Sequence, residues 1–560
     1  MEAKEIGSFL DLIEKAITTY WDYDALTDYD GATLQYKDVA RKIEKLHIIF
    51  ENAQIEKGDK IAICGRNSSQ WAAAFLAVLI YGAVAVPILH EFTPEQVYNI
   101  VRHSESKLLF VGDQVWPTLD ASKMPDLEGV FGLQDYNLLV SRREKITNAR
   151  ERLNEFFGLK FPKNFRKEHV KYRRDLPDEL AMINYTSGTT SQSKGVMIPY
   201  RALWSNMDFA AGALGLCIQK GSKVVSILPM AHMYGMAFEF LYEFVAGAHV
   251  FYLTKNPSPS IIFKAFSRIK PDLIVSVPLI IEKALRRAIL PKLQTPKMKM
   301  LTRLPYIKDK VAIAIGNQLT EAFGGNFYEI IIGGAALNRD IEDFLRRIRF
   351  HYTVGYGLTE CAPIITYADW AMNPIGSCGC AVRHMEVKID SPDPQHIVGE
   401  ILCRGTNVML GYYKNPEATA AVLDKDGWLH TGDLGLLDEY GYLYIKGRSK
   451  NMLLGSSGQN IYPEEVEGKL NMLPFVEESV MIQKGNRLYA LVYPQYELAK
   501  ENGLSRQQLA EIMEQNRREL NGMLPSYSQL SGIRMVDNEF AKTPKKSIKR
   551  YLYADYDVTK

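Results

Sequence analysis

The sequence predicts an α/β fold with layered parallel sheets in a large N-terminal domain, a small β-barrel-like subdomain, and a small α+β C-terminal domain. Short apolar runs rich in β-branched residues alternate with helix-length stretches, which is typical of a parallel sheet covered on both faces. From about residue 398 the runs are separated by turns rich in Gly and Asp, which indicates antiparallel strands. A fresh series of elements starts near Lys450, so we predict domains 1–449 and 450–560.

Several predicted strands of the large domain end in turns that contain Gly, Pro or His. Examples of the predicted strands, not all of which end in such a turn, are IAICG (61–65), KLLFVG (107–112), VVSILPM (224–230), DLIVSVP (272–278) and YEIIIGG (328–334). The turns are LPMAH, VSVP, IIGGAAL and YTVGYGLTE. Ligands of open α/β sheets lie outside the carboxyl ends of the strands. We therefore expect these four turns to meet at one crevice.

The uncharged stretch WAAAFLAVLIYGAVAVPIL (71–89) resembles a membrane span in length. Gly82 and Pro87 divide it into a helix-length run and a short run rich in valine. A buried helix followed by a buried strand is therefore predicted.

The elements after residue 398 follow the same reasoning. GEILCRG, GWLHTGDLG and YGYLYIKGR are predicted as short strands. Beyond GRSKN, YPEEVEGKLNML is predicted as a helix and VEESVMIQKGNRLYALVYP as a hairpin, followed by two further helical segments.

Composition limits the function classes. A chain of 560 residues is expected to form two or more domains. The net charge of +2 gives no reason to expect a nucleic-acid partner. Six scattered cysteines favour a reducing compartment, and Cys378 and Cys380 lack the second pair or nearby His of a zinc site. The N-terminus has no apolar core of a signal peptide, so a cytoplasmic location is expected.

The stretch YTSGTTSQSKGVMIPY (185–200) is rich in hydroxyl residues and contains two glycines and one lysine. ELAMINY before it and GVMIP after it are predicted as strands, and the helix YRALWSNMDFAAGAL follows only then. This order differs from a P-loop, which opens a helix at once. Glycine lets the backbone approach a ligand, and hydroxyls, amides and Lys194 suit a phosphate. A mobile Ser/Gly turn is the alternative.

Seven motifs in order resemble the adenylate-forming superfamily of acyl-CoA synthetases, adenylation domains and luciferases. They are YTSGTTSQSKG, LPMAH, GGAAL, GYGLTECAP, GEILCRGTNVMLGYYKNPEAT, GWLHTGDLG and GRSKNMLLGSSGQNIYPEEVE. The resemblance runs from about residue 30 to the C-terminus. It implies that the AMP moiety of ATP is transferred, with Mg²⁺, to a carboxylate. The acyl group of the resulting acyl-AMP would then pass to a thiol such as that of CoA.

The resemblance also implies roles for single residues. Lys194 and its loop would hold phosphates, Tyr356 the adenine ring, and Asp433 and Arg448 the ribose. Glu360 would help to hold Mg²⁺, a hard cation that prefers oxygen ligands, and His232 would orient the acid. The implied nucleotide-binding residues are Thr186, Ser187, Gly188, Thr189, Thr190, Lys194, Gly333, Gly334, Ala335, Tyr356, Gly357, Thr359, Asp433 and Arg448.

The C-terminal domain is implied to be mobile. Lys450 stands where the superfamily has its hinge, and GSSGQNI (455–461) would line the thiol path after rotation.

The tail KTPKKSIKRYL departs from the family pattern Lys-Thr-x-x-Gly-Lys-Ile-x-Arg, since Ser547 stands at the position of the adenylating lysine. Three interpretations stay open. Lys545 or Lys546 reaches the site by a local shift, which is the interpretation we favour. Alternatively the loop and Mg²⁺ suffice with slower adenylation, or the protein is a weak or degenerate enzyme.

GRSKNML and the tail are similar to the long-chain fatty acyl-CoA synthetase branch. The aromatic helix after His232 suits either an alkyl tunnel or the ordinary core of the domain. We therefore expect a long- or medium-chain fatty acid, ATP and CoA as substrates. The basic stretches 159–174 and 291–303 are solvated surface, or docking sites for an acyl carrier protein or for the inner face of a membrane. An acyl-carrier-protein synthetase and a catalytically weak acyl- or nucleotide-binding homologue are the alternative functions.

Overall fold

The large domain consists of two sheet layers with helices packed on them. The computed structural model describes residues 6–186, 194–254, 258–288, 305–454, 459–485, 487–542 and 548–558. The prediction of layered parallel sheets is confirmed.

The first sheet is parallel at its centre and antiparallel at both edges. Its strands, in spatial order, are Gly411–Tyr412, Gly195–Pro199, Leu180–Tyr185, Val84–Ile88, Lys60–Cys64, Ser106–Val111, Gly129–Gly132 and Leu138–Ser141. The hydroxyl-rich loop therefore connects two neighbouring antiparallel strands, as the sequence predicts.

The second layer joins two smaller sheets through a parallel bridge between Val224 and Leu273. One sheet has the order Lys223–Ser226, His249–Tyr252, Asp24–Asp28 and Thr33–Gln35. The other is fully parallel, with the order Ile274–Ser276, Ile330–Ile332 and Tyr352–Val354.

The helices of the large domain cover both layers. They are Phe9–Thr19, Tyr36–Asn52, Ser69–Tyr81, Pro94–Ser104, Glu144–Glu151, Leu153–Lys160, Tyr200–Leu214, Met233–Met236, Tyr242–Ala246, Pro259–Ile269, Pro278–Ala288, Pro305–Ala322, Arg339–Arg347 and Pro416–Ala420. A π-helical turn, Ala237–Leu241, interrupts the helix after His232. Short 3₁₀ turns are Trp116–Thr118, Ala121–Lys123, Lys167–His169, Thr359–Cys361 and Ser449–Asn451.

The uncharged stretch 71–89 folds as predicted. Ser68 caps the helix Ser69–Tyr81 by accepting from the Trp71 amide, and Gly82 ends it in the left-handed region at φ 90°. The strand Val84–Ile88 follows in the buried centre of the sheet. Burial of each large apolar side chain here contributes about 1.5–3 kcal/mol. None of the helices in the described residues has the length and hydropathy needed to cross a bilayer.

Antiparallel strands follow the parallel layers. Tyr356–Gly357, Ile364–Tyr367 and Cys380–Ala381 form one sheet. Met385–Asp390, Gly399–Gly405, Leu429–Leu437 and Leu443–Arg448 form the next, which contains the predicted strands of the β-rich unit.

The C-terminal unit contains the predicted helix and hairpin. Its helices are Pro463–Leu470, Tyr496–Glu501 and Arg506–Gly522, with 3₁₀ turns Ser526–Ser528 and Arg550–Leu552. Its strands are Leu453–Leu454, Asn460–Ile461, Val476–Lys484, Arg487–Pro494 and Leu530–Met535. Its buried residues form clusters separate from the core of residues 9–443. The boundary between residues 449 and 450 stays a prediction.

Candidate active site

A cavity of about 2510 Å³ lies at the carboxyl ends of the parallel strands and is also lined by the C-terminal unit. The four turns that the sequence predicts to meet all contribute to its wall. The described residues of the predicted site that line it are Thr186, Lys194, His232, Gly333, Gly334, Ala335, Tyr356, Gly357, Thr359, Glu360, Asp433 and Arg448. Ser187, Gly188, Thr189 and Thr190 lie outside the described residues.

The two ends of the hydroxyl-rich loop are fixed to each other. The Thr186 amide donates to the Lys194 carbonyl at 3.0 Å, next to the strand pair Tyr185 and Gly195. The Lys194 ammonium lies 4.6 Å from the ring centroid of Tyr412. This places one positive charge at the exit of the loop, within the cavity.

Glu360 lies in the one-turn 3₁₀ helix Thr359–Cys361. Its carbonyl accepts from the Met409 amide at 2.8 Å. Its carboxylate accepts from the Tyr412 hydroxyl at 2.9 Å. Burial, and then the Glu360 carboxylate, raise the pKa of Tyr412, so the phenol stays a donor at physiological pH.

Asp433 is bound through both carboxylate oxygens. One accepts from the Tyr356 hydroxyl at 2.7 Å, and the other lies 3.0 Å from Nε of Arg448. Burial raises the pKa of Asp433, and Arg448 and then Tyr356 oppose that shift. A β-bulge produces the pairing, because the register shift between Leu434 and Gly435 sets Asp433 directly opposite Arg448.

His232 begins the helix Met233–Met236, and its Nδ1 accepts from the Tyr234 amide at 3.2 Å. A neutral imidazole with Nδ1 as acceptor carries its proton on Nε2. The carbonyl before it, on Ala231, accepts from the buried amide of Asn184 at 3.0 Å.

Two further side chains, half-buried Asn67 and fully buried Glu239, hold the loop that leads to His232. The Asn67 amide donates to Ser226 Oγ at 3.0 Å and to the Leu228 carbonyl at 2.6 Å, and its oxygen accepts from the Met230 amide at 2.8 Å. Glu239 accepts from the Ser226 hydroxyl and from the amides of Ile227 and Leu228 at 2.9–3.1 Å. Ser226 therefore links Asn67 and Glu239 in one network.

The GGAAL turn approaches the helix after His232 closely. A Cβ on Gly333 would lie 3.0 Å from the Tyr234 ring, and Gly334 has φ 80°. The Tyr234 hydroxyl donates to the Ile331 carbonyl at 3.0 Å. The close approach at 333 and the left-handed backbone at 334 each favour glycine.

An aromatic wall lines the cavity beyond His232, where the sequence predicts an alkyl tunnel. Ring centroids lie 6.4 Å apart for Tyr234 and Phe238, 6.4 Å for Phe209 and Phe238, and 5.6 Å for Phe209 and Tyr367. The Tyr367 hydroxyl donates to buried Glu329, which fixes the last ring.

The tail borders the same cavity through Lys542, Ile548 and Arg550. Lys542 pairs with Glu478, and Arg550 pairs with buried Glu467. The predicted catalytic residues Lys545 and Lys546, like Ser547, lie outside the described residues, so their role stays a prediction.

The sequence interpretation missed Tyr412, Asn67 and Glu239. Tyr412 stands inside the motif GEILCRGTNVMLGYYKNPEAT, and the resemblance of this motif implies no role for the tyrosine. Asn67 follows the strand Lys60–Cys64, so its position at a carboxyl strand end could have identified it. Glu239 gave no signal, because a glutamate in an aromatic helix does not indicate which loop it contacts.

Known proteins match over most of the chain. The family model described as AMP-binding enzyme matches residues 13–413. The long-chain-fatty-acid–CoA ligase of Bacillus subtilis (strain 168) is 27% identical over 483 residues, covering 82% of this chain and 80% of the relative. The "probable acyl-activating enzyme 16, chloroplastic" of Arabidopsis thaliana is 25% identical over 589 residues, covering 91% of this chain and 80% of the relative.

Solved structures share the fold. An anthranilate CoA ligase in complex with anthranoyl-AMP has a TM-score of 0.78 and 18% identity, covering 98% of this chain and 97% of that one. The o-succinylbenzoate CoA synthetase of Bacillus subtilis in complex with ATP and magnesium ion has a TM-score of 0.72 and 20% identity, covering 96% of this chain and 98% of that one. With the family model matching more than half of its residues, the chain belongs to the AMP-binding enzyme family.

Proposed function

We propose that this protein is an AMP-forming acid–thiol ligase that joins a long- or medium-chain fatty acid to CoA. The carboxylate displaces pyrophosphate from ATP to give acyl-AMP, and the CoA thiol then displaces AMP. The observation that carries the proposal is one cavity lined by Lys194, Glu360, Asp433 and His232 together with an aromatic wall. Relatives named as long-chain-fatty-acid–CoA ligases support the choice of acid.

The nucleotide end of the cavity is assigned to Asp433, Tyr356 and Arg448. Burial raises the pKa of Asp433, and Arg448 and Tyr356 oppose that shift. The oxygens of this carboxyl group are acceptors that suit the ribose hydroxyls. The Tyr356 ring and the Gly333–Ala335 turn line the same cavity, and both are assigned to the adenine ring.

The triphosphate end is assigned to Lys194, Thr186 and Glu360. The carboxylate of Glu360 and the Thr186 hydroxyl are hard oxygen donors, which fit Mg²⁺. Within the described residues, no group of three His, Cys, Asp or Glu could hold a metal by itself, so most ligands would come from the phosphates and water. Magnesium bound with ATP would offset phosphate charge, and Lys194 would stabilise the charge that develops on pyrophosphate.

The acid end is assigned to His232 and the aromatic wall. The proton on Nε2 of His232 would orient the carboxylate towards the α-phosphorus, and the rings of Phe209, Phe238 and Tyr367 would contact the alkyl chain. Exclusion of water by these rings would protect the acyl-AMP from hydrolysis.

A carrier-protein thiol is the second candidate acceptor. In the basic stretch 159–174 the cations Lys163, Arg166, Lys167 and Lys171 are exposed, and Leu159 is 71% exposed. Exposed cations suit the acidic surface of an acyl carrier protein, and this stretch is also our proposed site of peripheral contact with an anionic membrane. Sedimentation with anionic lipid vesicles tests the membrane contact. The second basic stretch, 291–303, lies outside the described residues.

The test measures pyrophosphate and AMP release with ATP, Mg²⁺ and a panel of acids of different length, with CoA, with holo acyl carrier protein, or with neither. We expect acid-dependent pyrophosphate release, and acyl-CoA only when CoA is present. A highest kcat/KM for short or aromatic acids would contradict the fatty-acid assignment. Turnover with the carrier protein and not with CoA would show that the carrier protein is the acceptor. ATP binding without any turnover would favour a catalytically weak homologue.

A further inference from the structure

The segment 409–413 connects the two loops that carry the charges of the proposed triphosphate site. Its Met409 amide donates to the Glu360 carbonyl at 2.8 Å. Its Leu410 and Tyr413 amides donate to the carbonyls of Met197 and Gly195 at 2.9 and 2.8 Å. The segment is thus bonded to the Glu360 turn and to the strand that begins directly after Lys194.

The side chain of Tyr412 repeats this connection inside the cavity. Its hydroxyl donates to the Glu360 carboxylate at 2.9 Å, and its ring faces the Lys194 ammonium at 4.6 Å from the centroid. The residue is 7% exposed. One buried aromatic side chain therefore contacts the cation at one surface and the anion at its edge.

The backbone of Tyr412 is fixed as well. Its amide donates to Thr419 Oγ1 at 2.9 Å. The preceding Gly411 has φ 136°, and a Cβ there would lie 2.7 Å from the Thr419 side chain. Glycine at 411 permits this backbone conformation, and the hydrogen bond to Thr419 holds the Tyr412 backbone between the two loops.

We propose that Tyr412 is a positioning residue that keeps the Lys194 ammonium and the Glu360 carboxylate apart and ready for the magnesium–triphosphate group. An ammonium and a carboxylate on facing loops would otherwise pair and neutralise each other. No ion pair joins Lys194 to Glu360 in the part of the chain that the structure describes; each contacts Tyr412 instead. This inference rests on the proposed function in one respect, namely that ATP with magnesium is the ligand.

The test compares Tyr412→Phe, Tyr412→Leu and the matched control Tyr413→Phe. Tyr413 is the next residue, and its hydroxyl also donates to a glutamate, Glu105, at 3.1 Å on the exposed side. Calorimetry measures the Kd of ATP with Mg²⁺ and with EDTA. We expect Tyr412→Phe to raise the Kd with Mg²⁺ about tenfold and to leave the Kd in EDTA unchanged, because the ring under Lys194 remains. Tyr412→Leu should raise both values, and Tyr413→Phe neither.

A double-mutant cycle with Glu360→Gln separates positioning from a general structural role. If Tyr412 acts through Glu360, adding Tyr412→Phe to Glu360→Gln causes no further loss of magnesium-dependent ATP binding. Unchanged binding in Tyr412→Phe, or equal losses with Mg²⁺ and EDTA, would overturn the proposal. Unchanged affinity in EDTA also shows that the variant is folded. The binding assay contains no acid or thiol. Its result therefore does not depend on whether the wild-type protein activates a fatty acid.

Discussion

Asp433 shows at the residue scale how a buried carboxylate is kept available for a ligand. Only 4% of the residue is exposed, and Tyr356 and Arg448 each bind one of its oxygens. The Arg448 side chain is about half exposed, so screening limits the strength of this ion pair. The pair therefore orients Asp433 more than it stabilises the fold.

We predict that Asp433→Asn raises the Kd of ATP on the order of tenfold to a hundredfold, because the amide keeps the shape of the side chain and loses the charge that accepts ribose hydroxyls. Calorimetric titration with ATP and Mg²⁺ measures this. Tyr356→Phe is the control, since it removes one hydrogen bond and keeps the carboxylate and the ring. An unchanged Kd in Asp433→Asn would show that this residue does not contact the nucleotide.

Residue identity was predictable here, and residue geometry was not. The motifs GWLHTGDLG and GRSKN identify Asp433 and Arg448, because a motif is recognised from the order of residues along the chain alone. Their direct pairing depends on the bulge between Leu434 and Gly435, and a bulge of this kind leaves no distinct residue pattern. The contact of Tyr412 with Glu360 joins residues 52 positions apart, so local sequence rules cannot reveal it.

At the element scale, the loop from Ser226 to His232 is fixed by polar side chains from two other elements. Asn67 follows the strand Lys60–Cys64, and Glu239 lies in the π-helical turn Ala237–Leu241. π-Helical turns are frequent at functional sites. The helix was predicted from its apolar content, but the wide turn that places Glu239 under the loop was not.

We predict that Asn67→Ala raises KM for the acid and lowers kcat on the order of tenfold, with the Kd of ATP unchanged. The reason is that three hydrogen bonds to the His232 loop are lost, while the nucleotide end of the cavity keeps its contacts. Steady-state kinetics at saturating ATP and calorimetry with ATP give the two quantities.

Asn516→Ala is the matched control for that loss. Asn516 is buried, and its amide, like that of half-buried Asn67, donates to a backbone carbonyl. The acceptor is Pro474 in the C-terminal unit, far along the chain from the loop. We expect this variant to lower the melting temperature without changing KM for the acid. If Asn67→Ala lowers only the melting temperature, Asn67 does not position His232.

At the scale of the whole molecule, the class and sequence of elements were predictable and the strand order was not. Alternating apolar runs are a local pattern that each strand and helix carries. The second layer, in contrast, requires Asp24–Asp28 to pair with His249–Tyr252, and nothing in either run specifies the other. The cavity was predictable in outline because carboxyl strand ends must meet at one edge of a parallel sheet.

Glu243 affects the stability of the whole large domain. It is fully buried in the core, and neither carboxyl oxygen has a hydrogen-bond partner in the described residues. In the described residues, the groups that interact with it include Tyr36, Tyr242, Tyr252, Cys217 and Glu239, and none of these five carries a positive charge. Burial therefore raises the pKa of Glu243 from 4.5 to about 8.

We predict that the melting temperature of Glu243→Gln relative to wild type is higher at about pH 8.5 than at about pH 4.5. Between 4.5 and about 8 the folded chain keeps the proton that the unfolded chain releases, so the wild-type free energy of unfolding falls as the pH rises through this range. Each unit of pKa difference is worth about 1.4 kcal/mol, so the effect reaches several kcal/mol. Thermal melting of both proteins across this range measures the effect, with the exposed Glu439→Gln as the control.

The buried amide of the variant costs stability equally at every pH, so only the pH dependence of the difference reports on the proton. A difference that stays constant from acid to alkaline pH would mean that Glu243 is ionised in the folded core and has a partner that compensates its charge.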